Sequence, residues 1–141
     1  MKVYAIRLNP GDEIRSSLMN FAKENNLTAA SISTCAGCVT GANLRMAGAT
    51  PDHEDERHFD GPLEIVSLVG TFSVDDCHFH ISLSDREGRV IGGHLRSAVV
   101  DVIAEIVILD DETKHYAYPM DEKLGFTGLK VEENRSNIAI S

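Results

Sequence analysis

The chain has 141 residues, 43% of them hydrophobic, with 13 Lys and Arg against 22 Asp and Glu for a net charge of −9. A chain of that length holds one hydrophobic core without disulfides or a structural metal, so any metal it binds is expected to be functional. Charge of this sign repels nucleic acid and anionic membrane unless basic residues cluster, and neither a Lys/Arg-rich run nor a membrane-length apolar run of roughly 18 residues is present.

The N-terminal MKVYAIRLNPGDE has no apolar stretch of signal-peptide length, so a cytoplasmic location is expected, with the three cysteines reduced. Residues 2–8, KVYAIRL, alternate as a strand does, and Asn9-Pro10-Gly11 ends it. From Asp12, read as the N-cap, Ile14, Leu18, Phe21 and Ala22 recur at helical spacing. The helix closes at Asn25-Asn26, where Asn accepts the left-handed conformation. Residues 27–47 carry β-branched and small residues around Gly37 and Gly41, which predicts one long bent strand or two strands with a bulge.

Residues 48–61, GATPDHEDERHFDG, are polar and turn-rich and read as a loop. LEIVSLVGTFSV (63–74) reads as a strand apolar on both faces, and Asp75-Asp76 turns it into CHFHISLSDREGRVIGGH (77–94), which holds three of the six histidines. An apolar strand over 99–109, a turn at Asp110-Asp111 and a short KHYAYPM strand follow, and the tail over 130–141 reads as frayed. The expectation is a single α+β domain over 1–141, with its core in 2–119: a mainly antiparallel sheet and one amphipathic helix near the N-terminus.

The histidine segment has a definite register. Arg86-Glu87-Gly88 suits a three-residue hairpin loop with Gly in the left-handed conformation, so Asp85 pairs with Arg89 and His80 falls opposite His94. Alternation then sends Phe79, Ile81, Leu83, Ile91 and Leu95 to a core face. His78, His80, Ser82, Ser84, Gly92 and His94 share the other, where Gly92 is expected to leave open space. Directly opposed Cβ atoms lie roughly 4.5–5.5 Å apart, close enough for three imidazoles to converge on one ion. Three neutral imidazoles suit Zn²⁺ with an open fourth position, although iron, nickel, copper or manganese also accept such ligands. The plainer reading is a solvated sheet face on which histidines alternate.

Three further residues are candidates for catalysis. Glu64 and Glu105 interrupt apolar strands, where a buried carboxylate needs a partner and could act as a general acid or base. Arg96 follows His94 by two, so on a continuing strand it shares the site face and could hold a substrate carboxylate or phosphate. Cys35-Ala-Gly-Cys38 has knuckle spacing but no second pair, so buried strand thiols are expected. Cys77 is expected to fill the core, His53 and His58 to be solvated in the acidic loop, and His115 to stand apart. His78-x-His80 with Asp85 also imitates a cupin, but the register puts Asp85 in the loop, away from the histidines.

GPLEIVSLVGTF, HFHISLSD, GRVIGGHL and AEIVI together resemble the PPC (plant and prokaryote conserved) domain, specifically over 61–109 and more loosely elsewhere. The resemblance implies a homotrimer with a fold similar to that of alpha-acetolactate decarboxylase, a zinc enzyme whose metal is held by a His-x-His pair and a later histidine. His78, His80 and His94 match that pattern. In plants the domain follows AT-hook DNA-binding motifs, and prokaryotic members often carry a DNA-binding label. This chain has no Arg-Gly-Arg-Pro AT-hook, and it has Pro62-Leu63 where the plant motif has Arg and Phe, so neither plant role carries over.

The expected function is thus a metal-dependent hydrolase or lyase acting on a small anionic molecule. A DNA-binding or regulatory interaction module is the alternative, and a structural or sensory metal-binding trimer a third reading. DNA binding is expected to be weak or absent, and no membrane partner is expected.

Overall fold

The computed structural model describes residues 1–135. It is mainly antiparallel sheet with one α-helix near the N-terminus, the α+β architecture expected from the sequence. Strand β1 (Lys2–Leu8) leads to α1 (Ile14–Asn25), and the long strands β2 (Ala30–Arg45) and β3 (Glu56–Phe72) follow. The hairpin strand β4 (Cys77–Ser84) then precedes β5 (Val90–Asp110). Sheet order is β1-β5-β2-β3-β4, and β4 also pairs with the start of β5, so β5, β2, β3 and β4 close on themselves. Closure pairs β4 on both sides, while β1 stays an edge strand bonded to β5 alone.

The helix stops where Asn26 adopts φ 50° and ψ 51° and its N–H reaches the Ala22 and Lys23 carbonyls. Its start differs from expectation by one residue. Glu13, not Asp12, is the N-cap, because its longer carboxylate accepts from Arg15 N and Ser16 N and also from Ala98 N of β5, tying the helix to the sheet. Asp12 instead accepts from Asn9 N within the preceding turn. Ile14, Leu18 and Ala22 are buried against the sheet, and Phe21 meets Tyr4 edge-on at 5.3 Å. They join one cluster with Leu44, Phe79, Leu83, Leu95 and Ile106.

Residues 30–45 form the single long strand expected, with its irregularity against β3 between Val39 and Gly41. The expected loop over 48–61 is too long: β3 begins at Glu56, and residues 56–60 pair with 41–45 of β2. Polar side chains hid this segment, since most of its residues face solvent while only their backbones serve the ladder. The hairpin strand and the apolar strand expected at 99–109 are likewise one element, β5, because no breaker separates His94 from Val99.

Beyond β5, β6 (Lys114–Ala117), β7 (Met120–Asp121), β8 (Phe126–Thr127) and β9 (Lys130–Glu133) form two small ladders, β6 with β9 and β7 with β8. Lys130–Glu133 is therefore ordered strand rather than frayed tail, while residues 136–141 lie outside the described residues. Ser73 Oγ donates to Tyr116 O at 2.7 Å and Tyr118 OH to Thr71 Oγ1 at 2.9 Å, holding the C-terminal segment against the end of β3. Among the described residues no helix is long and apolar enough to cross a membrane.

Candidate metal centre

The hairpin loop forms as its residues require. Asp85 N donates to Arg89 O at 2.9 Å, Gly88 takes φ 78°, and the Asp85 carboxylate accepts from Glu87 N, Arg89 N and Arg89 Nε. Asp85 is thus spent on closing the loop, as its parity implied. The register pairs His80 with His94, Ser82 with Gly92 and Ser84 with Val90. Phe79, Ile81, Leu83 and Leu95 are buried, while His78 and His80 are exposed and His94 is half-buried. Gly92 does not leave open space: a Cβ there would stand 2.6 Å from Ile81 O, so glycine is needed for β4 and β5 to approach.

The three imidazoles meet. Ring centroids lie 5.0 Å apart for His78 and His80, 5.1 Å for His78 and His94, and 5.6 Å for His80 and His94. His78 Nε2 stands 3.1 Å from His80 Nε2, and one ligand atom from each ring lies within 4.8 Å of the others. Two Zn–N bonds of about 2.0–2.1 Å at a tetrahedral angle separate their nitrogens by roughly 3.3–3.4 Å. One pair is already near that spacing, so the donor set fits a metal of the kind that neutral imidazoles bind.

The surroundings favour the neutral form of His78 and His94. Burial pushes the His94 pKa down to about 3, helped by Arg45, His78, Arg96 and His80. Burial first, then His80 and Arg45, lowers that of His78. Neutral rings hold the lone pairs that a cation requires.

Arg96 reaches the site through a bulge. Asn43 pairs with Ser97 and Leu44 with Leu95, which leaves Arg96 as the extra residue of β5, and bulges re-aim side chains in this way. Its Nη2 donates to Glu54 Oε1 at 2.9 Å, while its buried Nε has no acceptor in hydrogen-bond reach among the described residues, Glu56 Oε2 being 3.9 Å away. Arg45 pairs with His94 across the β2–β5 ladder, and its Nη2 lies 3.4 Å from His94 Nδ1. A cavity of about 320 Å³ adjoins His78 and His94, lined by Arg15, Arg45, Arg96 and Asp76 together with Tyr118 and Phe126 of the C-terminal segment.

Other candidates lie elsewhere. Glu64 pairs with Ser84 at the loop end of β4, roughly 13 Å along the strand from His80 at about 3.3 Å per residue. Glu105 pairs with Arg7 and Ala36 near the far end of β5. Both carboxylates are exposed in the single chain rather than buried, because each sits on the outward side of its strand. The cysteines are free thiols; Cys35 is buried, which raises its pKa to about 11, and Cys77 packs against the core while edging the cavity. His53 is exposed, His58 bonds Asn43 and Asp60, and His115 bonds Asp75 at 2.7 Å, none of them at the site. Sequence reasoning missed Arg15, Arg45, Tyr118 and Phe126, since only long-range pairing brings them to the histidines.

Known proteins share this frame. The model of the Plants and Prokaryotes Conserved (PCC) domain matches residues 1–111. The chain is 33% identical over 135 residues to the bifunctional protein GlmU of Synechococcus sp. (strain JA-3-3Ab), covering 94% of this chain and 21% of that one. It thus spans about a fifth of such relatives' length. A solved protein of Salmonella enterica superposes with a TM-score of 0.88 at 32% identity, over 94% of each chain. A metal-containing protein of Archaeoglobus fulgidus does so at 0.81 and 29%, over 92% of this chain and 94% of that one. The fold alone extends to a Staphylococcus aureus protein similar to alpha-acetolactate decarboxylase, with a TM-score of 0.56 at 19% identity over 79% of this chain and 54% of that one. The architecture, the hairpin motifs and the match over residues 1–111 together place this chain in the Plants and Prokaryotes Conserved domain family.

Proposed function

We propose that the protein is a cytoplasmic homotrimer in which His78, His80 and His94 hold one divalent metal, zinc by the chemistry of the donors, and that it acts as a hydrolase or lyase on a small anionic molecule. The observation that carries this reading is the convergence of three imidazole ligand atoms within 4.8 Å beside a cavity lined by arginines. His78, His80 and His94 would hold the metal, which would supply Lewis acidity toward an oxygen of substrate or water. The chain's own residues do the rest. Arg96 and Arg45 hold the anionic group next to the histidines, and Tyr118, whose hydroxyl pKa burial raises to about 12, stays protonated at the cavity wall.

Glu64 and Glu105 enter this reading only through assembly. Both lie on outward sheet positions, and Val66 and Val69 of the same strand as Glu64 are 54% and 53% exposed, apolar surface that a second copy would cover. A DNA-binding role, the alternative within the family, fits the chain poorly. Affinity for duplex comes chiefly from phosphate contacts, and a net charge of −9 with Arg45 and Arg96 facing Glu54 offers few.

Elemental analysis of purified protein tests the metal reading. Wild type should carry about one divalent metal per chain and His80→Ala close to none. Equal metal content in the two proteins would overturn it.

A further inference from the structure

The cavity beside the histidines carries an imbalance of charge. Three guanidinium groups, those of Arg15, Arg45 and Arg96, line it against one carboxylate, Asp76, which stands 3.8 Å from Arg15. Two other acids lie in reach: Glu54 is shared, its Oε1 accepting from Arg96 Nη2 at 2.9 Å and lying 3.6 Å from Arg45 Nη1, and Glu56 Oε2 lies 3.9 Å from Arg96 Nε. Glu54 is not part of the cavity lining, so it offsets the two arginines from outside. Guanidinium groups present planar forks that match the oxygens of carboxylate and phosphate. Three guanidinium forks facing one cavity therefore select an anion, and together they present more donors than the two oxygens of a single carboxylate can accept, which favours a ligand with two anionic charges.

Size narrows the ligand further. The cavity holds about 320 Å³, at the small end of the roughly 300–1,000 Å³ range of small-molecule sites, a size that suits a compact ligand.

The wall opposite in chemistry is supplied by a part of the chain beyond the residues that match the family. Tyr118, Phe126 and Thr127 line the cavity, whereas the family match ends at residue 111. Phe126 places its ring 5.1 Å from the Arg45 guanidinium carbon, and the Tyr118 hydroxyl is fixed on Thr71. An aromatic face under a guanidinium holds it without consuming its N–H donors. Phe126 thus acts as a positioning residue that holds Arg45 at the cavity and takes none of its donors.

From these observations we propose that Arg15, Arg45 and Arg96 form a binding site for a compact dianion, the chemistry shared by a phosphate monoester and a short dicarboxylate, with the Tyr118–Thr127 segment as its specificity wall. The proposal rests on the reading above for its relevance to catalysis, but the site itself exists without metal.

Titration calorimetry at pH 8 and constant ionic strength tests it on the full chain, EDTA-treated and zinc-loaded, with inorganic phosphate, malonate and acetate as probes. Phosphate or malonate should bind the EDTA-treated protein saturably at about one per chain, and acetate at least about tenfold more weakly. Tighter phosphate assigns the site to phosphate esters, tighter malonate to dicarboxylates. Arg45→Gln should weaken the dianion at least about tenfold, Phe126→Ala should weaken it less, and Glu54→Gln should tighten it by releasing two guanidinium groups. The opposite sign of Glu54→Gln separates recognition from a general loss of fold. Absence of saturable dianion binding, equal affinity for acetate, or weaker binding in Glu54→Gln would overturn the proposal. Binding seen only with zinc and indifferent to Arg45→Gln would also overturn it, and would leave the metal reading intact.

Discussion

His78 Nε2 and His80 Nε2, 3.1 Å apart, cannot both carry hydrogen, so at least one lone pair faces the other nitrogen, the electronic state that a cation exploits. His94 adds a ring whose protonation burial and two arginines oppose. The consequence for stability has a definite sign. In the unfolded chain His94 titrates near the ordinary value of about 6.5, and in the folded chain near about 3, so between those values the unfolded state binds more protons. His78 is shifted in the same direction. Stability of the metal-free protein should therefore be fully present above about pH 6.5 and decline as pH falls toward 3. Thermal melts from pH 8 to 4 should show that decline in wild type and a shallower one in His94→Asn. Identical slopes would contradict the account. The three histidines are legible one by one in the sequence because strand alternation is local. Arg45 is not, since its place opposite His94 depends on β2–β5 pairing between residues far apart in the chain.

The hairpin is the element on which the site depends. Its register follows from Asp85 and Gly88, whose turn chemistry is local, and so the pairing of His80 with His94 is legible in the sequence itself. The close approach at Gly92 is not, because alternation says which face a residue occupies and nothing of how near the next strand runs. Residues 56–60 escape a sequence reading for a related reason, their polar side chains concealing a ladder to β2. One extra residue in the 86–88 loop that shifts β5 by one position sends His94 inward and its neighbours outward. Such an insertion should abolish metal binding as fully as loss of a ligand, read by metal content after gel filtration. A variant that folds with the shifted register and still retains one metal per chain would contradict the register argument.

At the scale of the whole molecule the outward surface is unfinished for a monomer. Val66, Val69 and Val102 are each more than half exposed, and Val102 holds φ 61°, a left-handed conformation that β-branched residues avoid. It falls at the bulge where Cys38 pairs with Asp101 and Gly37 with Ala104. Assembly into a trimer would cover such surface and hold such a backbone in place. Sedimentation equilibrium at low micromolar concentration should give the mass of three chains, and a monomer would contradict the proposal. None of this is written in composition; only strands apolar on both faces hint at it.

The most direct test of the central claim, that these three histidines form one metal centre, is a zinc-edge X-ray absorption spectrum of the loaded protein. The expected result is three imidazole nitrogens at about 2.0–2.1 Å with the outer-shell features of histidine rings, reduced or lost in His80→Ala and His94→Ala. A spectrum dominated by sulfur or carboxylate ligands, or one unchanged in both variants, would contradict it.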